Sequence, residues 1–183
     1  SPYENGIWHC QHFDQVVDLF QFICYMMKQS TTLNLKGGNP MKNPWEDIPL
    51  DDYVNHMNLD SVMQLQAMNE MMKGQFNTYP VSRVMILGIA GGNGLEHIKK
   101  DKFERVYGVD VNSFYLKEVI HRYPDLDGLL ECLCINLIEQ TDKLPKADMV
   151  IANLLIEYIG YECFQKAIQS VKPKFVSCMI QIN

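Results

Sequence analysis

Val84-Met85-Ile86-Leu87-Gly88-Ile89-Ala90-Gly91-Gly92-Asn93-Gly94, followed by Leu95-Glu96-His97-Ile98, reads as a buried strand that breaks into a glycine-rich turn and opens a helix. Four apolar residues in a row suit a strand covered on both faces, as in a parallel sheet. The glycines let the backbone take φ > 0 and come close to a ligand. In an open α/β sheet, the carboxyl end of such a strand is where nucleotide-like molecules bind. Ending sixteen residues after Gly94, the run Arg105-Val106-Tyr107-Gly108-Val109-Asp110 reads as a second strand closed by a carboxylate, which can accept both hydroxyls of a ribose.

Outward from this pair the chain alternates strand and helix. Strands are expected at 84–89, 105–110, 131–136, 148–153 and 175–182, and helices at 94–101, 113–122 and 160–171. Asn112-Ser113 caps the second helix, and Pro124 and Pro173 mark where the last two stop. Residues 137–146 carry Pro145 and read as a loop with at most one helical turn. Short connectors between parallel strands imply right-handed crossovers. The fold class is therefore α/β: a doubly wound, mainly parallel Rossmann-like sheet with helices on both faces and an N-terminal helical segment.

That N-terminal segment is read from Val54, Met57, Val62, Leu65, Met68 and Met72, which recur at helical spacing. Its methionines suit adaptable packing. Residues 13–27 show helical spacing too, and Gly37-Gly38-Asn39-Pro40 forms a break after them. The expected organisation is an N-terminal appendage over 1–40, a helical lid segment over 41–80 and the sheet domain over 81–183. An apolar strand at 175–182 would form an uncovered edge. Residues 31–35 folding back, further sequence, or a second copy forming a homodimer are the candidates to cover it.

With 183 residues, a net charge of −6 and 47% hydrophobic residues, the composition suits one soluble domain with a substantial core. The acidic balance offers no basic footprint for nucleic acid, and no nucleic-acid partner is expected. Six cysteines without a CxxC pair read as free thiols in a reducing cytoplasm, and no metal site is expected from them. The longest apolar stretch, 20–27, is far short of the ~20 residues that span a bilayer, so no membrane association is expected.

A dinucleotide dehydrogenase would place glycines as G-x-G-x-x-G. Counting from Gly88 the later positions are Ala90 and Asn93, and from Gly92 they are Gly94 and His97, so that pattern fails. The run instead has a small residue at every second position, Ala90, Gly92 and Gly94, with an acid closing the next strand. With residues 106–111 and with 147–158, it resembles the class I S-adenosylmethionine-dependent methyltransferases of the small-molecule type. The resemblance extends over roughly 75–183.

The resemblance implies that Gly88, Ala90, Gly92 and Gly94 line the methionine tail of S-adenosylmethionine, that Asp110 binds the ribose hydroxyls and that Val111 packs on adenine. It implies an adenine contact at Asn136, followed by Leu137, although Asn136 is equally suited to initiating a loop. Asn153 would mark where the transferred methyl emerges. Gly88 stands where the family usually has an acid, which removes an expected partner for the cofactor's amino group, and Ala90 stands where it usually has glycine. The family also continues with two more strands. After the fourth strand the chain reads Asn153-Leu154-Leu155-Ile156 rather than an Asn-Pro-Pro-Tyr-like motif, which argues against a base amine as acceptor and toward a small molecule.

Residues 45–57 are read as a lid bringing Tyr53 and His56 toward the reacting centre, with His56 the candidate base for an acceptor that must lose a proton. An exposed helix position is the plainer reading of His56. Glu157 and Tyr158 are candidates for the acceptor pocket, Tyr158 being equally readable as core. The expected function is methyl transfer to a small molecule. The alternatives are a non-catalytic methyltransferase-like binding module and, against the glycine pattern, a nucleotide-dependent oxidoreductase.

Overall fold

The structure, a computed structural model, describes residues 43–57 and 64–181, together with the backbone of 7–13. Six strands build one parallel sheet: β1 Ile7–Phe13, β2 Arg83–Leu87, β3 Arg105–Asp110, β4 Leu130–Cys134, β5 Met149–Asn153 and β6 Phe175–Gln181, in the order β1-β6-β5-β2-β3-β4. The helices are α1 Leu50–Met57, α2 Gln64–Thr78, α3 Ser113–Arg122, α4 Ile156–Ile159 and α5 Tyr161–Val171. The chain leaves β2 toward β3 on one side, and β5 lies on the other. The strand order thus reverses at β2, and a crevice opens at the carboxyl ends of β2 and β5.

The apolar run of β2 supplies both faces of the sheet, as expected for a strand with no solvent side. Val84 and Ile86 pack with Met72 and Phe76 of α2 and with Leu116 and Val119 of α3. Met85 and Leu87 point the other way, into Phe164, Ala167, Ile168 and Val171 of α5. The Asn112 side chain accepts hydrogen bonds from Phe114 N at 3.0 Å and Tyr115 N at 3.3 Å, so the expected cap starts α3. The loop after β4 holds one 3-10 turn, Thr141–Lys143.

Two expectations need correction. The helix expected at 94–101 is a single 3-10 turn, Leu95–His97, ended by Ile98 in an extended conformation. Leu95 and Ile98, three residues apart, are both buried, a spacing at which side chains eclipse in a 3-10 turn. Ile98 therefore reaches the core from the extended segment that ends the turn. The second correction concerns the edge at 175–182. Ile7–Phe13 pairs with it in parallel, Ile7 opposite Phe175 through Phe13 opposite Gln181, so a strand of the same chain covers the edge that was expected to lie open. Residues 31–35 and the helical spacing beyond Phe13 lie outside the described residues. No helix among the described residues is long and apolar enough to cross a membrane.

Candidate functional site

The glycine loop is tied to the end of β3 by its backbone: Gly88 N and Ile89 N both donate to Val109 O, at 2.9 and 3.1 Å. Ala90, at φ 45, then directs its own amide at Asp110, donating to Oδ2 at 2.9 Å. Asn112 N donates to the other carboxylate oxygen at 2.9 Å. The loop and the carboxylate are therefore in direct contact. Burial pushes the Asp110 carboxyl above its ordinary range, while backbone amides of Asn112, Ala90 and Val111 act against that rise.

A cavity of about 220 Å³ opens beside the loop. Gly88, Ala90, Gly91 and Asn93 form its floor, with Asn153 at the end of β5, Met68 and Met72 of α2, and Tyr53 and Val54 of α1 around it. Glu96, Arg122 and Tyr123 complete the wall. Of the residues singled out in the sequence, Gly88, Ala90, Asn153 and Tyr53 border this space.

The others are placed differently. A Cβ at Gly94, at φ 86, would lie 2.6 Å from Met72 Cβ, and one at Gly92 would lie 2.9 Å from the Tyr123 ring. Both glycines thus face neighbouring protein and make room for α2 and for Tyr123. Asn136 accepts from Ile138 N at 3.0 Å, the loop-initiating arrangement. Leu137 is buried with the α5 cluster, and Val111 stands beside β4, its carbonyl 3.5 Å from Cys134 Sγ. Asp110, Val111, Asn136 and Leu137 lie off the cavity wall, as do Glu157, which is exposed, and Tyr158. His56 lies on α1, and its side chain falls outside the described residues.

Residues 45–54 form a strap across the carboxyl end of the sheet. Asn112 Nδ2 donates to Trp45 O at 3.0 Å and to Ile48 O at 3.3 Å. Leu50 packs on Gly91, and the Trp45 ring meets Tyr158 edge-on at 5.0 Å. Tyr53 lies beside Tyr115, with ring centroids 6.2 Å apart, and burial and the charge of Asp110 raise its phenol well above the usual range. The Tyr115 hydroxyl, raised by burial and by the charges of Asp110, Tyr53 and Asp52, is buried without a hydrogen-bond partner among the described residues.

Asn153 is committed to protein partners. Its amide pairs reciprocally with Gln75 of α2, at 3.0 and 2.9 Å, and its oxygen also accepts from Met179 N at 3.1 Å. Buried Gln75 extends this to Ser177 at 3.0 Å. Across the cavity, Asn69 Nδ2 of α2 donates to Glu96 Oε1 at 2.5 Å and to Asn93 Oδ1 at 3.1 Å. Tyr123 donates to Gly92 O at 2.8 Å and reaches Glu96 Oε2 at 3.2 Å. Burial alone would raise the Glu96 carboxyl, but the bonds from Asn69, its own backbone and Tyr123, together with nearby His97, hold it below the usual carboxylate range.

Glu96, Arg122, Tyr123 and Tyr115 were not found from the sequence. A carboxylate two residues after a glycine run that lacks its usual acid was a usable signal for Glu96. Arg122 and Tyr123 carried none beyond the end of a helix.

No protein-family model matches the chain, and no curated protein matches it. Solved structures do. Coclaurine N-methyltransferase bound to N-methylheliamine and SAH is 14% identical, with 85% of this chain and 49% of that chain covered and a TM-score of 0.52. The methyltransferase domain of a bacterial Hen1 protein is 19% identical over 62% of each chain, with a TM-score of 0.48. An S-adenosylmethionine-dependent methyltransferase from Clostridium acetobutylicum is 16% identical over 69% of this chain and 50% of that one, with a TM-score of 0.46. The chain spans about half to three fifths of the length of these proteins. It has the fold of the class I S-adenosylmethionine-dependent methyltransferases.

Proposed function

We propose that this chain binds S-adenosylmethionine at the carboxyl ends of β2 and β3 and transfers methyl groups to a small-molecule acceptor. The observation that carries the reading is the direct contact between the glycine loop and Asp110, with Ala90 N donating to Asp110 Oδ2 at 2.9 Å beside a cavity that runs on to Asn153.

The residues present fit such a ligand. Asp110 meets three backbone amides, Ala90 at Oδ2, Asn112 at Oδ1 and Val111, and of a carboxylate's about four acceptor positions one remains, which a ribose hydroxyl can fill. The orphaned Tyr115 hydroxyl, buried near Asp110, is a further polar group that a ligand can satisfy. Tyr53, half-buried beside Tyr115 and within electrostatic reach of Asp110, borders the cavity, and a nucleoside that reaches the carboxylate has to pass it, which makes the strap a gate. When bound, the cofactor supplies an electrophilic methyl on sulfur. The chain's part is then alignment and exclusion of water, and Trp45, Tyr53 and Tyr158 provide an apolar cover for it.

Calorimetry with S-adenosylhomocysteine tests the reading. The intact protein should bind with micromolar affinity, and Asp110→Ala should weaken binding by about 1–3 kcal/mol through the unpaired ribose hydroxyls. No binding by the intact protein refutes it.

A non-catalytic binding module is the second reading, favoured by the commitment of Asn153 to Gln75 at the point where an acceptor would meet the methyl. Binding without methylation of any acceptor in a broad small-molecule screen supports that alternative.

A further inference from the structure

Resting on the S-adenosylmethionine reading, we propose that Asn112 is a positioning residue whose side-chain amide pins the base of the strap beside the nucleoside site, so that the strap opens as a flap hinged next to Ile48 and ligand retention depends on the pin. Asn112 is 2% exposed, and each of its polar atoms has a partner. Its backbone N–H donates to Asp110 Oδ1 at 2.9 Å, and its carbonyl accepts from Leu116 N at 3.3 Å. Its side-chain oxygen takes Phe114 N and Tyr115 N at the start of α3, at 3.0 and 3.3 Å. Its side-chain nitrogen gives both N–H groups to the strap, to Trp45 O at 3.0 Å and Ile48 O at 3.3 Å. An amide has two donors and two acceptor positions, so this one is full. Capping accounts for the oxygen alone: Asp or Ser would start α3 equally well, and neither carries two N–H groups. The nitrogen is what calls for Asn here, and it reaches residues 67 and 64 positions earlier.

The strap is held differently on either side of Pro49. Before it, one buried amide grips two carbonyls three residues apart, which sets the direction of the segment as well as its place. Glu46 N and Trp45 N close a turn on Asn43 there, at 3.0 and 3.2 Å. After Pro49 the strap rests on apolar contacts: Leu50 lies on Gly91, where a Cβ would be 3.1 Å from Leu50 Cδ1, and Tyr53 lies against Tyr115. Contacts of this kind have no preferred direction and part without stranding a polar group. Lifting residues 45–48 would instead leave the Asn112 amide buried with both donors unmade, the costlier event. Tyr53 N donates to Pro49 O at 3.2 Å, so the first turn of α1 swings as a unit and takes Tyr53 away from the cavity wall. The pin and the carboxylate are joined through one residue, since the amide that meets Asp110 Oδ1 belongs to the residue that holds the strap.

Asn112→Ser separates the pin from the cap, because the hydroxyl keeps a capping oxygen but has one proton and a shorter reach. In stopped-flow with S-adenosylhomocysteine, read by Trp45 fluorescence on the full chain, this variant should release ligand about tenfold faster than wild type, with the helical circular dichroism unchanged. Asn112→Ala, which loses cap and pin together, should release at the same rate as Asn112→Ser and melt lower. Wild-type release from Asn112→Ser would overturn the proposal and leave Asn112 as a helix cap. Hydrogen exchange on the wild type needs no variant to fold: in the free protein the amides of Trp45 and Glu46 should exchange more slowly than those of Tyr53 and Val54, and S-adenosylhomocysteine should slow the second pair alone. Equal exchange on the two sides of Pro49 in the free protein would overturn the hinge. Absence of S-adenosylhomocysteine binding by the wild type removes the cofactor reading itself, and the hinge then stands or falls on the exchange of the free protein.

Discussion

Replacing Gly94 with alanine asks whether α2, rather than a bound molecule, dictates this part of the glycine loop. Gly94 sits at φ 86, and a Cβ there would lie 2.6 Å from Met72 Cβ and 3.0 Å from Met72 Cγ. No rotamer change relieves a clash between two Cβ atoms, since backbone fixes both; either α2 or the loop must shift. The left-handed conformation costs an alanine about 1–2 kcal/mol, and forcing a methyl into packed core costs about 1–3 kcal/mol. Together these predict a loss of about 2–5 kcal/mol. Gly128 is the internal control: it has φ 77 and nothing within 4 Å of its Cβ position, so Gly128→Ala should show the conformational cost alone. Urea unfolding followed by circular dichroism measures both, through the midpoint at constant slope. The difference between the two variants should be about 1–3 kcal/mol, a thermal shift of ~2–4 °C for each kcal/mol in a chain of this length. Adding Met72→Ala should recover little, because the offending Met72 Cβ is still there. Equal losses at Gly94 and Gly128 would refute the packing argument, as would an unchanged midpoint with ligand binding lost.

Asp148 provides a pH test at the far end of the sheet. Burial raises its carboxyl, but hydrogen bonds from Arg83 N at 2.9 Å and Ser82, with Lys174 and Arg83 at 3.6 and 3.8 Å, bring it below the ordinary 3.8. A folded pKa below the unfolded one gives stability that is present above about pH 4 and is lost as pH falls through the folded value. Acid unfolding curves of Asp148→Asn should therefore start about 1–2 kcal/mol lower at neutral pH and fall less steeply below pH 4; parallel curves would count against this account. For the strap, Tyr53→Ala should speed association of S-adenosylhomocysteine, read by stopped-flow fluorescence of nearby Trp45. An unchanged rate would mean that Tyr53 does not gate the nucleoside.

What could be read in the sequence was whatever local chemistry decides. The run 84–87 needed nothing but its own apolarity to become a central strand, and α3 and α5 announced themselves by a cap, by Pro124 and by Pro173. Asp110 was legible because a strand end is a position that sequence alone can locate. The misreadings are tertiary in origin. Residues 95–98 carry a pattern compatible with a helix, but the chain leaves the turn at Ile98, which is extended and buried, and no local pattern records that exit. Ile7-Trp8-His9-Cys10-Gln11-His12-Phe13 mixes polar and apolar residues, and its strand character comes from a partner more than 160 positions away, Phe175 to Gln181. Glycines 92 and 94 were read as approaching a ligand because left-handed backbone looks alike in sequence whether its neighbour is a cofactor or Met72. Glu96 and Arg122 meet at one cavity only because the loop between β2 and the 3-10 turn bends back over the end of α3, a path no local pattern records.

The same turn bears on which ligand class the loop can take. A pyrophosphate held at a glycine loop relies on the free N–H groups and positive end of the helix that follows. Here three residues of 3-10 turn follow, with His97 N donating to Gly94 O and Leu95 N to Gly92 O. The aligned peptide dipoles that would attract a phosphate are too few to build a substantial field. The nearest side-chain charge on the cavity wall after the glycines is moreover the carboxylate of Glu96, which repels a phosphate and attracts an ammonium. Arg122 on the same wall acts in the opposite sense, so the shortened turn carries most of the argument. It weighs against a nucleotide-dependent oxidoreductase and toward a ligand whose nucleoside is joined to an amino acid rather than to phosphate. If NAD(H) bound this protein more tightly than S-adenosylhomocysteine at the same ionic strength, the electrostatics of Glu96 and the shortened turn would have been misjudged.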